Sequence, residues 1–248
     1  MNIKTRLIIM NFLQFFVWGA WLISLGSYLG GQLHFDGFQI GSFYASMGLA
    51  SLFMPAILGI IADRWIPAQK MLGISHLISA VFLILASFQK EFYPLYTYMF
   101  LAVMFYMPTI ALSNSVAFNA LEKSGLDTVK AFPPIRFWGT VGFIAAMWTV
   151  DVTGFKSSEM QFYVSAIASV LLALYSFTLP NCPTTAKEKS KSIVDMLGLK
   201  AFTLFKDSKM AVFFIFAMLL GAALQITNGF GDSYIRSFSS IPEFASTF

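Results

Sequence analysis

Arg136, Thr140 and Phe143 sit in the stretch FPPIRFWGTVGF at spacings i, i+4 and i+7. On a helix this spacing puts a guanidinium fork, a hydroxyl and an aromatic ring on one face. A second polar set runs through GAALQITNGFGDSY, where Gly221, Gln225, Asn228 and Asp232 fall at i, i+4, i+7 and i+11. Carboxamides one turn apart can each donate and accept hydrogen bonds, which suits a neutral polyhydroxylated or heterocyclic ligand. The same residues also serve helix–helix hydrogen bonding in a bilayer. Reactive groups are sparse. Cys182 is the single cysteine, so an intrachain disulfide and a cysteine-based metal site are excluded. His34 and His76 show no metal-ligand or nucleophile spacing, and His76 reads as a packing residue before a proton relay. The residue types therefore point to solute binding, with no enzyme chemistry, metal or organic cofactor.

The elements that would carry these faces are membrane spans. Of the 248 residues, 57% are hydrophobic and only 11% charged, with a mean hydropathy of +0.72. A soluble domain carries about a quarter charged residues, so the composition points to a polytopic all-α membrane protein. Apolar runs long enough to cross, or nearly so, are Leu7–Leu33, Gly37–Ala62, Met71–Gln89, Phe92–Leu121, Gln161–Pro180 and Met210–Gly231. The segment containing Arg136 makes a seventh. The first run is too long for a signal peptide and reads as a retained span. Twelve of the sixteen Lys and Arg residues fall in segments on the N-terminal side of the bilayer. Lys90, Lys156 and Arg236 fall on the other side and Arg136 lies within a span, so the N-terminus is expected in the cytoplasm. The net charge of +4 is thus explained by orientation in a lipid bilayer and not by a nucleic-acid partner. The expected organisation is a six-helix bundle over residues 1–180, a cytoplasmic linker with an amphipathic surface segment over 181–209, and helix seven with the start of a second half over 210–248.

Fourteen uncharged residues separate Arg136 from Asp151, about 21 Å of helix, which is short of a ~30 Å hydrocarbon core. Beginning the span at Ala131 completes it and draws Arg136 about 9 Å below the near face. Either the guanidinium snorkels back to the headgroups, or it faces a polar hollow. Pro133 and Pro134 remove two backbone donors just before this face and are expected to disturb the helix there. No Asp or Glu lies well inside the first six spans. A buried arginine must therefore meet water, a ligand or an acid from elsewhere. Gly229 and Gly231 are hinge candidates near the end of helix seven, although close packing is the more common use of such glycines.

Between the second and third spans, GIIADRWIPAQK resembles the loop motif G-x-L-A-D-R-x-G-R-K of the major facilitator superfamily. Gly59, Asp63 and Arg64 occupy matching positions, with Asp63 able to cap a neighbouring helix, while Ile66 and Pro67 replace the motif's Gly-Arg. Together with FLQFFVWGAWLISLGSYL, FPPIRFWGTVGFI and FFIFAMLLGAALQITNGFG, the chain resembles the bacterial nucleoside:proton symporters of that superfamily. The resemblance implies two six-helix halves around a central site, alternating access, a nucleoside substrate and a proton as coupling ion in the bacterial inner membrane. It also implies that the present chain is truncated and needs a C-terminal half to transport. Carried onto this sequence, it implies substrate contacts from Arg136, Thr140, Phe143, Gln225 and Asn228. Gln14, Trp18, Asn114 and Asn119 are further candidates for the cavity wall. A sugar or oligosaccharide symporter of the same superfamily and a non-transporting membrane scaffold fragment are the alternatives. The sequence sets no oligomeric state.

Overall fold

A computed structural model describes residues 2–184 and 199–236. The amphipathic segment expected over 193–209 lies partly outside the described residues, as do the last residues of the chain. Among the described residues the α-helices are α1 (Ile3–Gly19), α2 (Leu25–Ser27), α3 (Gly37–Arg64), α4 (Ala68–Ser87), α5 (Phe92–Lys123), α6 (Thr128–Val152), α7 (Met160–Ser176) and α8 (Ser208–Arg236). There are no strands among them.

Local chemistry sets the helix ends. Asp36 and Gln39 form a reciprocal capping box at the start of α3. Asp127 accepts from the backbone N–H groups of Val129 and Lys130 at the start of α6. After α5 and α6 the chain turns through Gly125 and Gly154, both at positive φ. Leu126 N–H donates to Leu121 C=O and Gly125 N–H to Glu122 C=O, with the same pair of bonds around Gly154. These are Schellman ends, in which glycine avoids the steric penalty of the left-handed region.

The first span differs from the continuous helix expected over Leu7–Leu33. Helix α1 stops at Gly19, a short turn follows, and α2 continues into a π-turn over Tyr28–Gln32. Two of the backbone groups this break frees are met by one tyrosine. Gly26 N–H donates to the Tyr44 hydroxyl at 3.1 Å, and that hydroxyl donates to Leu22 C=O at 3.3 Å. The break expected at Pro133 and Pro134 does not occur, because both prolines lie within a continuous α6. They stand near its first turns, where the carbonyls left unpaired, those of Val129 and Lys130, lie beside the helix end and so cost little.

Helices α3, α4, α5 and α8 contain windows long and apolar enough to cross a membrane by length and composition, and α7 is a shorter apolar helix. Helix α1 reaches only 17 residues before its break, and α6 is long but carries Arg136. Packing arranges the bundle: α6 lies along α1, α1 also meets α7, α4 is gripped between α5 and α7, and α3 lies on α5. Helix α8 rests on α2 and does not pack along α6.

Two large apolar clusters fill the bundle, beside a small third one of Ala20, Ala146 and Val150. One joins Val17, Trp21, Leu83 and Met107, and the other joins Leu7, Met10, Leu72 and Leu112. On four of the contributing helices a polar residue separates the two: Gln14 on α1, His76 on α4, Thr109 on α5 and Ser169 on α7. These four are fully buried and form a hydrogen-bonded layer across the middle of the bundle.

A candidate solute site on helices one and six

Close approach of α1 and α6 builds the site. At Gly19 a Cβ would run into the Phe143 carbonyl, and at Gly142 it would run into that of Phe12. Two backbones can touch this way only where one of them has no side chain, the usual means by which membrane helices pack tightly. Residues 136 and 143 are thereby pressed against the aromatic face of α1. The guanidinium carbon of Arg136 lies over the Phe15 ring, 3.7 Å from its centroid. The Phe143 ring meets Trp18 edge-on, with centroids 6.3 Å apart at 89°. Trp18 in turn contacts Phe15 at 6.3 Å and Tyr106 at 6.0 Å. Thr140 stands exposed between Arg136 and Phe143 along the helix.

Arg136 is half-buried and its guanidinium turns toward α1. Among the described residues it makes no ion pair, unlike Lys90 with Glu159, Lys130 with Asp127 and Lys156 with Asp151. The Phe15 ring thus stands where a carboxylate would otherwise be. Its negative π-face attracts a cation without competing for the in-plane N–H donors, which a carboxylate would take up two at a time.

Behind this face lies the buried polar layer. Gln14 Nε2 donates to Thr109 Oγ1 at 2.7 Å, and Thr109 Oγ1 donates to Tyr106 C=O at 2.5 Å. Gln14 Oε1 faces His76 Nε2 at 3.0 Å, and His76 Nδ1 faces Ser169 Oγ at 2.9 Å. The Tyr106 hydroxyl donates to Gln14 C=O at 2.7 Å. Gln14 was expected on the cavity wall but is sealed inside the bundle, because both ends of its amide are satisfied there. Trp21 is also core, at 3% exposure. Trp18 remains at the edge, with its indole N–H buried and without a partner among the described residues.

The remaining candidates lie apart from this centre. Asn114 and Asn119 line an open groove of about 470 Å³ along one face of α5, with Ser115, Phe118 and Glu122. Gln225 and Asn228 are half-buried on α8, and the Gln225 amide nitrogen is enclosed without a partner among the described residues. Their end of α8 touches the Tyr44 side chain of α3, where a Cβ at Gly229 would lie 3.3 Å from the ring and Phe230 packs on it at 5.7 Å. The two polar faces are therefore not in contact. The side chain of Asp232 is not among those described. Asp63 and Arg64 are exposed at the end of α3, and α4 begins after Pro67.

The reading from residue spacing missed Phe15, Tyr106 and the His76–Gln14 pairing. For Phe15 there was one signal: Gly139 leaves a gap on the Arg136 face, one turn along from the charge. For the polar layer there was none, since it joins residues more than sixty positions apart.

Comparison with known proteins agrees with this architecture. The family model described as nucleoside H+ symporter matches residues 1–247. The nucleoside permease NupG of Escherichia coli K12 is 47% identical over 248 residues, all of this chain and 59% of that protein. The xanthosine permease of the same organism is 48% identical with the same coverage. A crystal structure of the nucleoside transporter NupG superposes with a TM-score of 0.83 at 47% identity, covering all of this chain and 61% of that one. A mutant of that transporter superposes with a TM-score of 0.87. The chain thus spans about 59% of the length of the curated relatives it matches, and it belongs to the nucleoside H+ symporter family.

Proposed function

We propose that this chain supplies the N-terminal part of a proton-coupled nucleoside importer of the bacterial inner membrane, with its N-terminus in the cytoplasm and alternating access around a central site. Arg136, Thr140 and Phe143 form one wall of that site, and Gln225 and Asn228 contribute from the facing helix once it closes. The observation that carries this reading is Arg136: a half-buried guanidinium lying on an aromatic ring, with no acid paired to it among the described residues. Such a group keeps its donors for a solute rich in carbonyl and hydroxyl oxygens. Phe143 supplies a flat apolar surface for a base, a contact worth about 1–3 kcal/mol by comparison with nucleic-acid binding. Thr140 adds a short-range donor and acceptor. The names of the relatives, a nucleoside permease and a xanthosine permease, support this ligand class.

The test is uridine uptake by a full-length permease with this chain as its N-terminal part. Arg136→Ala is expected to abolish uptake while the protein still inserts in the membrane, and other nucleosides but not hexoses should compete with labelled uridine in the unsubstituted protein. Near-normal uptake by Arg136→Ala would remove the assigned role.

A further inference from the structure

We propose that Phe15 and Gly139 are positioning residues for Arg136, so that substrate affinity depends on the π-face of an aromatic ring that itself never touches the substrate. The inference rests on the reading of Arg136 as a nucleoside contact.

Three observations converge on it. First, the guanidinium carbon stands 3.7 Å from the Phe15 centroid, while the charge has no ion pair among the described residues. Second, the ring cannot follow the cation freely. Phe15 is only 6% exposed and is backed by Trp18. Its chain neighbour Gln14 is pinned at both ends of its amide by Thr109 and His76. Third, the gap that lets the guanidinium reach the ring is made by Gly139. A Cβ there would come within 2.6 Å of Arg136 Nη1 and 2.6 Å of Phe15 Cδ2. Each approach is too close to persist, so a side chain at position 139 displaces the guanidinium and shifts the Phe15 ring edge as well, which breaks their contact.

The arrangement has a functional logic. An arginine anchored by a carboxylate is held firmly but has given up a bidentate pair of donors. An arginine laid on a ring is held from its face, and its in-plane N–H groups stay available. A neutral ligand then need not displace a salt bridge to be bound.

The test uses a full-length permease with this chain as its N-terminal part and reads uridine KM and Vmax separately. Phe15→Leu removes the π-face while keeping bulk and is expected to raise KM roughly 3- to 30-fold, the range of a cation–π contact, with Vmax changed less than about twofold. Gly139→Ala should raise KM in the same direction, and Phe15→Tyr should stay within about threefold of the unsubstituted protein. The decisive readout is a series of mono-, di- and trifluorophenylalanine at position 15, which keeps ring shape while weakening its quadrupole. KM should climb with each fluorine, whereas a ring acting only as core filler produces no trend. A flat series, or a Phe15→Leu protein with unchanged KM, overturns the positioning role even if Arg136→Ala abolishes uptake. Normal uptake by Arg136→Ala overturns the underlying assignment instead.

Discussion

Gln14 has no choice of orientation. Thr109 already gives its hydrogen to the Tyr106 carbonyl, so it can only accept from the Gln14 amide, which turns the Gln14 carbonyl toward His76. His76 must then carry its hydrogen on Nε2. Ser169 Oγ lies within reach of both Nδ1, at 2.9 Å, and the His76 carbonyl, at 3.1 Å, and in the neutral imidazole its hydrogen serves Nδ1. An interhelical hydrogen bond in a membrane protein averages only ~0.6 kcal/mol. Stranding its buried partners costs more, about 1–3 kcal/mol. Gln14→Leu strands both the His76 Nε2–H and the Thr109 oxygen. It is therefore expected to lower unfolding stability in detergent by about 1–3 kcal/mol, whereas a change at exposed Lys4 should fall within error.

At the scale of elements, the α1–α6 seam sets the geometry of the site. Because Gly142 has the Phe12 backbone directly over it, Gly142→Val must push the two helices apart and carry Arg136 off Phe15. Loss of folded protein or of nucleoside binding is the expected result, read by size-exclusion profile and ligand-dependent melting. Gly59 is the control. A Cβ there meets open space in this structure, so Gly59→Ala should leave the isolated bundle's stability unchanged or slightly raised. Helix α8 is joined to the bundle differently. Gly229 and Phe230 lie on the ring of Tyr44, the residue whose hydroxyl closes the break between α1 and α2. A movement of α8 at this point is therefore felt by the broken first span. Gly229→Leu should release α8, seen as a longer spin-label distance between residues 45 and 226, without lowering the melting temperature of the bundle.

At the scale of the whole molecule, the exposed surface is that of a membrane protein. Phe38, Leu52 and Val152 are each about four-fifths exposed, and the apolar window of α8 has no residue buried within the structure. Apolar surface of this extent requires lipid or protein cover. At the end where α4 meets α5, Lys90 bonds Glu159 at 3.0 Å and the Tyr28 hydroxyl at 3.4 Å, tying that connection to α7. The backbone N–H of Glu159 and the Lys90 ammonium hold the Glu159 carboxyl below the ordinary carboxylate range. A depressed folded-state value stabilises the fold above the unfolded value of about 4.3, and that stabilisation is lost as pH falls below it. The pair is solvated, so its worth is about 1 kcal/mol or less. Glu159→Gln should thus melt slightly lower than the unsubstituted protein at pH 7, with the difference shrinking as pH falls below about 4.3 and disappearing once pH is below the depressed folded-state value.

Much of this protein was legible in the order of its residues. Hydropathy runs locate the helices because a bilayer demands about twenty apolar residues per crossing, and the spacing of Arg136, Thr140 and Phe143 places them on one helix face because 3.6 residues make a turn. Both are local rules. Where a helix breaks is not local: Pro133 and Pro134 sit in an unbroken α6, while the first span breaks where Tyr44 from another helix can satisfy the freed backbone. What holds Arg136 is not local either. Phe15 lies 121 positions away and reaches the guanidinium only because Gly19 and Gly142 let two backbones meet and Gly139 leaves room for the two side chains. Burial is likewise a property of the assembled bundle, which is why Gln14 became part of the core and not part of the wall. Periodicity acts along one helix and can be read from one segment. Contact between helices depends on which surfaces fit, and only the folded chain decides that.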